Sequence, residues 1–141
     1  MPPRYLDASV LVHAYLRPRR ELKPHERAIK SHARAIVTRI DKGEPVVTST
    51  VHVAEVANIL EDWMNLEDAR SIEQGLCTRD SIRILQTAKM DLLEALGLAS
   101  EFGLGTTDSL AVVFMKREGI REIYSFDKDY DGLPGVTRVS E

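Results

Sequence analysis

At 141 residues the chain has the length of one compact domain, and its 43% hydrophobic and 29% charged residues are the balance of a globular protein. That excludes a disordered tail, a collagen-like rod and a disulfide-stapled mini-protein, while the single cysteine, Cys77, points to a reducing cytoplasm without thiolate metal chemistry. The net charge of −3 conceals an asymmetry: from Arg17 to Arg39 eight basic residues stand against Glu21 and Glu26, a local +6, leaving 11 basic and 20 acidic residues (−9) elsewhere.

In chain order, residues 4–9 (RYLDAS) read as a short strand ending at a polar turn, and 10–16 as a short apolar helix broken by Pro18. Residues 17–24 form a charged loop. Residues 25–41 are helical, with Ile29, Ala33, Ile36 and Ile40 at spacings of three and four and Gly43 as the stop. Residues 45–48 (PVVT) are a second strand, after which Ser49 or Thr50 caps a helix reaching Met64, with Val53, Val56 or Ala57, Leu60 and Trp63 turned inward. Residues 66–76 form a further helix, and 81–86 (SIRILQ) fits either a strand or a helix, its alternation favouring the strand. Helices over 89–102 and from Thr106 or Thr107 to 117 end at Gly103 and Gly119. A strand at 122–126 (EIYSF), a DKDYDG turn and a last strand at 136–139 complete the chain.

Alternating strands and helices without a linker or repeat predict a single α/β domain over 1–141, its sheet mostly parallel and its helices on both faces. No apolar run approaches the ~18–20 residues that cross a bilayer, and MPPRYLDAS lacks a signal-peptide apolar stretch, so a cytoplasmic protein without a membrane partner is expected.

In open parallel sheets ligands bind outside the carboxyl ends of the strands. Asp7 ends the first strand, Asp127 ends EIYSF with Asp129 and Asp131 close behind, Asp108 opens a helix, and Glu55 lies one turn into the helix after the second strand. Taken singly, most have ordinary explanations. Asp108 offsets a helix dipole, the 127–131 acids form turns, and Glu55 shares a solvated face with Asn58 and Asp62. Asp7 is harder to dismiss. Flanked by Leu6, Ala8 and Val10, it needs a partner once buried, and no obligate basic partner is visible nearby. Carboxylates converging without His or Cys suit Mg²⁺ or Mn²⁺, the ions of phosphodiester hydrolysis.

Rival readings fail on particular positions. An EF-hand loop starting at Asp127 needs Glu at its twelfth position, which is Arg138, and Pro134 interrupts it. A dehalogenase-type phosphatase needs Asp where Ser9 stands, a primase/topoisomerase-type fold needs Glu after the first strand, and a receiver domain needs an acidic pair there. Neither a P-loop nor G-x-G-x-x-G is present, which argues against a nucleotide cofactor. His13, His25, His32 and His52 lack zinc spacing and read as surface or packing residues.

YLDAS, VHVAEVANIL, TTDSLAV and IYSFDKDY, in this order and spacing, resemble the four acidic motifs of the PIN domain. With no appended domain, the chain looks most like the VapC-type toxins of prokaryotic toxin–antitoxin pairs. The resemblance implies a three-layer α/β/α fold with a five-stranded parallel sheet, a Mg²⁺- or Mn²⁺-dependent endoribonuclease, a homodimer and an antitoxin partner. By matching position it implies Asp7, Glu55, Asp108 and Asp127 as catalytic metal-binding acids, Ser9 and Thr107 as supporting polar residues, and Asp129 as a reserve ligand. Here the resemblance, and not the residues alone, promotes Glu55. Arg17, Arg19 and Arg20 of the loop, with Arg27, Lys30 and Arg34 along one helical face, are candidates to grip RNA phosphates; a solvated helix face accounts for them equally well. An inactive PIN-like binding module and a DNA-directed or structure-specific nuclease are the alternatives.

Overall fold

The computed structural model describes residues 2–141. Five short strands, β1 (Arg4–Leu6), β2 (Val46–Ser49), β3 (Ile82–Leu85), β4 (Glu122–Tyr124) and β5 (Thr137–Val139), form one sheet in the order β3-β2-β1-β4-β5. Every pairing is parallel, so the sheet is wholly rather than mostly so. Six α-helices connect the strands: α1 (Ala8–Tyr15), α2 (Pro24–Asp41), α3 (Thr50–Trp63), α4 (Leu66–Thr78), α5 (Lys89–Phe102) and α6 (Thr106–Glu118).

Strand alternation divides the interior in two. Leu6, Val46, Ile82 and Tyr124 pack on one face with α1 to α4, whereas Tyr5, Val47 and Ile123 pack on the other with α5 and α6. This is the α/β/α layering that a parallel sheet requires, because each crossover helix must cover the sheet it leaves. From β1 the chain steps outward to β2 and β3, then returns past β2 and β1 to β4 and β5. Reversing direction while keeping crossovers of one hand sends the two sets of helices to opposite faces. The reversal lies between β1 and β4, whose carboxyl ends are therefore adjacent. Asp7 N–H extends their pairing by donating to the Tyr124 carbonyl at 3.0 Å.

Local rules explain the helix boundaries. Ser49 caps α3 by accepting from the His52 N–H, Asn65 caps α4 by accepting from the Asp68 N–H, and Pro24 occupies the first turn of α2. The α5 helix matches its expected bounds and ends on Gly103 at φ +68°. Buried from Ser109 through Met115, α6 is the most enclosed helix.

Three expectations need correction. The first strand stops at Leu6, because Asp7 takes the N-cap position of α1, so Asp7, Ala8 and Ser9 belong to a strand-to-helix turn. The final strand of the EIYSF segment similarly stops at Tyr124. Trp63 is not inward: at the last residue of α3 it is 47% exposed, with the Arg19 guanidinium 4.5 Å above its ring. Val56 and Leu60 anchor α3 instead, and both are fully buried. Leu60→Ala should therefore cost about 2–5 kcal/mol in urea unfolding, with little change in the denaturant slope.

Candidate active site

The reversal of strand order places two chain segments, Asp7 to Ser9 and Ser125 to Asp127, side by side at the carboxyl edge. Asp7 is 5% exposed, and its Oδ2 accepts from Ser125 Oγ at 2.6 Å and from Ser9 Oγ at 2.9 Å. Ser125, fully buried, also accepts from the Asp127 N–H at 3.0 Å, and Ser9 accepts from the Phe126 N–H at 3.2 Å. The partner that Asp7 requires is thus a pair of hydroxyls. One of them, Ser125, was passed over by sequence reading because EIYSF reads as an ordinary strand.

The third segment is the first turn of α6, which brings Asp108 to the site. Asp108, Asp127 and Asp129 each present a carboxylate oxygen, all within 4.8 Å of one another. Asp127 caps the turn at Lys128–Tyr130 by accepting from the Asp129 N–H at 2.9 Å, which folds Asp129 back toward the cluster. Asp129, the reserve ligand by sequence, accordingly stands in this triplet. Asp7 and Glu55 lie outside it, but their charges reach it and raise the pKa of Asp108.

The electrostatics follow from crowding. Burial, and then the charges of Asp7 and Asp127, push the Asp108 carboxyl up to about 7, against a smaller opposing pull from the Tyr130 hydroxyl. That hydroxyl donates to Asp108 Oδ1 at 3.2 Å from a fully buried ring. Burial and the neighbouring acids raise its own pKa, so it stays a donor. In sequence DKDYDG reads as a turn, which hides Tyr130; an aromatic residue between turn acids is the signal that marks it.

Glu55 is half-buried rather than solvated, because α3 lies along the site. Burial and Asp7 raise its pKa, the Thr107 side chain opposing them. Its Oε2 is buried and has no hydrogen-bond partner among the described residues. Thr107 contributes its carbonyl as well, held 3.0 Å from Nε2 of buried His52, whose Nδ1 lies 2.6 Å from Ser49 Oγ. A carbonyl only accepts, so Nε2 carries the proton and Nδ1 accepts. Burial lowers the His52 pKa and keeps the ring neutral. This buried histidine joins β2 and α3 to the first turn of α6.

Oxygen donors alone, like charges in contact and an unpaired buried carboxylate oxygen together fit a hard divalent cation. A hydrogen-bond donor would satisfy Glu55 alone; a cation would offset the whole cluster.

The basic residues expected to grip RNA are largely engaged within the chain. Arg20 forms a two-pronged pair with Glu26 at 2.9 and 2.6 Å, Arg27 donates to the Leu22 carbonyl at 2.6 Å, and Lys30 donates to the His13 and Leu16 carbonyls at the end of α1. Arg17 and Arg34 are exposed, and neither enters a side-chain ion pair among the described residues.

The PIN domain family matches residues 4–136. Among solved structures, Mycobacterium tuberculosis VapC20, a sarcin–ricin loop cleaving toxin, superposes with a TM-score of 0.72 at 18% identity, covering 94% of this chain and 97% of that one. A toxin–antitoxin complex from Klebsiella pneumoniae gives a TM-score of 0.64 at 14% identity, covering 95% of each chain. PAE2754 from Pyrobaculum aerophilum gives 0.59 at 18% identity, covering 98% of this chain and 90% of that one. At such identities these likenesses establish a shared fold. No curated protein matches the sequence.

The raised Asp108 pKa has a thermodynamic sign. Between its ordinary value of 3.8 and about 7 the folded chain holds a proton that the unfolded chain has released, so stability of the metal-free protein falls as pH rises through this window. Asp108→Asn removes the penalty, on the order of 1–2 kcal/mol after allowing for solvent screening. At pH 8 in EDTA the variant should melt a few degrees above the parent, a gap that closes below pH 4. Mn²⁺ should raise the melting temperature of the parent more than that of the variant.

Proposed function

The chain belongs to the PIN domain family, and we propose that it is a Mg²⁺- or Mn²⁺-dependent endoribonuclease, the toxin of a toxin–antitoxin pair. The carrying observation is the oxygen-only cluster of Asp108, Asp127 and Asp129 beside the unpaired Glu55 Oε2, at the sheet's point of reversal. When bound, the cation supplies Lewis-acid stabilisation of phosphate charge and lowers the pKa of water.

The chain's residues do the positioning. Asp7, Asp108 and Asp127 would hold the cation with Asp129, and Glu55 would complete the ligand set or order a water. Ser9 and Ser125 fix the rotamer of Asp7 through its Oδ2, and the Tyr130 hydroxyl fixes Asp108. Thr107 is held in place by His52 and sets the start of α6 against β2. Rigid carboxylates matter because misplacing a charge-stabilising group by a fraction of an ångström weakens it at the transition state. That VapC20 is a sarcin–ricin loop cleaving toxin supports RNA as the substrate class. The Klebsiella complex supports an antitoxin partner.

For a homodimer, the support is the outer face of α5, where Met90, Leu93 and Leu96 are 71%, 51% and 50% exposed. An apolar row of this kind on a helix suits a second copy of the chain. No helix among the described residues is long and apolar enough to cross a membrane.

Two measurements test this reading. Asp7→Asn and Asp108→Asn should each reduce Mn²⁺-dependent cleavage of single-stranded RNA by on the order of a hundredfold or more, with unchanged circular dichroism. Retained activity in either refutes the site, and preferential cutting of a matched DNA oligomer refutes the substrate class. Leu93→Glu should convert a dimer to a monomer in sedimentation equilibrium; a parent chain that is already monomeric removes the dimer from the proposal.

A further inference from the structure

On the α1–α2 side of the molecule, a hollow of about 440 Å³ opens between the 17–22 loop, α2 and the end of α3. Leu16, Leu22 and Ile29 line it, so its body is apolar. Its rim is cationic on a chain of net charge −3. Two of the rim cations are occupied, Arg20 by Glu26 and Lys30 by the carbonyls at the end of α1. Arg17 is exposed and unpaired among the described residues, and Arg19 sits over the Trp63 ring, its guanidinium carbon 4.5 Å from the ring centroid and its Nη2 donating to the Trp63 carbonyl at 3.4 Å. The hollow is not remote from the acids. The His13 ring on its wall meets Phe126 edge-on, 5.5 Å between centroids, and Phe126 immediately precedes Asp127.

An apolar cavity with a guanidinium seated over an indole and a free guanidinium at its mouth has the chemistry of a nucleotide site. A base stacks on an arginine or aromatic plane, and a phosphate pairs with the fork of the second arginine. Resting on the ribonuclease reading above, we infer that this hollow is a substrate subsite that takes one unpaired nucleotide of the RNA strand. The base lies against Arg19 and Trp63, and the adjoining phosphate is held by Arg17. Bases inside a duplex have both faces covered, so the subsite selects single strands. A docked protein helix would instead need a groove with anchors over two or more turns. At about 440 Å³ this cavity falls within the ~300–1,000 Å³ range of small-ligand pockets.

Trp63 is the chain's only tryptophan, so its fluorescence reports occupancy directly. Titration in EDTA, where cleavage is silent, with a single-stranded RNA hexamer should quench it saturably, and a matched duplex should bind about tenfold more weakly or worse. The Arg17→Ala/Arg19→Ala double variant should lose about tenfold in affinity. Arg17→Ala alone, at a side chain that makes no ion pair in the fold, should lower the log–log salt slope by about one. Unchanged affinity in both variants, equal binding of duplex, or a quench that grows with protein concentration before RNA is added each overturns the subsite. Quenching as described by a protein that never cuts RNA in Mn²⁺ leaves the subsite standing and removes the nuclease reading. Cutting by a protein whose double variant keeps its kcat/KM removes the subsite alone.

Discussion

The hydrogen bond from Ser125 Oγ to Asp7 Oδ2 joins residues 118 positions apart and sits where the sheet changes direction. Its donor also receives the Asp127 N–H, so one hydroxyl sets the separation of two acids that follow different strands. The rest of the site is arranged around that fixed pair. The turn beyond Asp127 returns Asp129 and Tyr130, and Tyr130 in turn reaches the first turn of α6 at Asp108. On the far side, His52 secures the same turn through the Thr107 carbonyl. Four elements that meet nowhere in sequence are thereby held in register by neutral hydrogen-bond donors.

Neutral donors are the appropriate kind. A lysine or arginine paired with Asp7 would satisfy its charge inside the fold and compete with a divalent cation. Serine and tyrosine hydroxyls orient a carboxylate without neutralising it. The consequence is a cluster left electrostatically unfavourable by itself, visible in the elevated Asp108 pKa and in the unpaired Glu55 oxygen. Local strain of this sort is tolerable because both faces of the sheet are covered by well-filled cores, with Tyr5, Leu6, Ile123 and Tyr124 fully buried in the central strands.

Much of this architecture could be read from residue patterns. Helix starts and stops were legible at Ser49, Gly103 and Gly119, since capping is local chemistry, and strand–helix alternation carried the layer order. The acids at the strand ends were legible because topology confines ligands to that edge. Features that depend on nonlocal packing were not. Trp63 has the correct helical spacing for the core, but the helix ends there and Arg19 of a distant loop covers it instead. Glu55 shares its face with polar residues and reads as solvated until α6 is placed beside it. The cationic stretch reads as free charge, whereas Arg20, Arg27 and Lys30 are consumed by a capping acid, a loop carbonyl and the carbonyls at the end of α1. Ser125 and Tyr130 are inconspicuous alone and acquire roles only from what β1 and α6 bring to them.

The central position of β1 has a consequence for biosynthesis. The earliest of the five strands is completed on one edge by β2, but on the other only by β4, some 120 residues later. Until that segment has left the ribosome, Asp7 has no Ser125, and Asp108 has neither Asp127 nor Tyr130 beside it. Parallel pairing at this separation is slow to form as well as late to become available. A chain still under translation thus carries its acids apart, and the same topology that builds the site also keeps it unassembled beside the RNA from which the protein is being made.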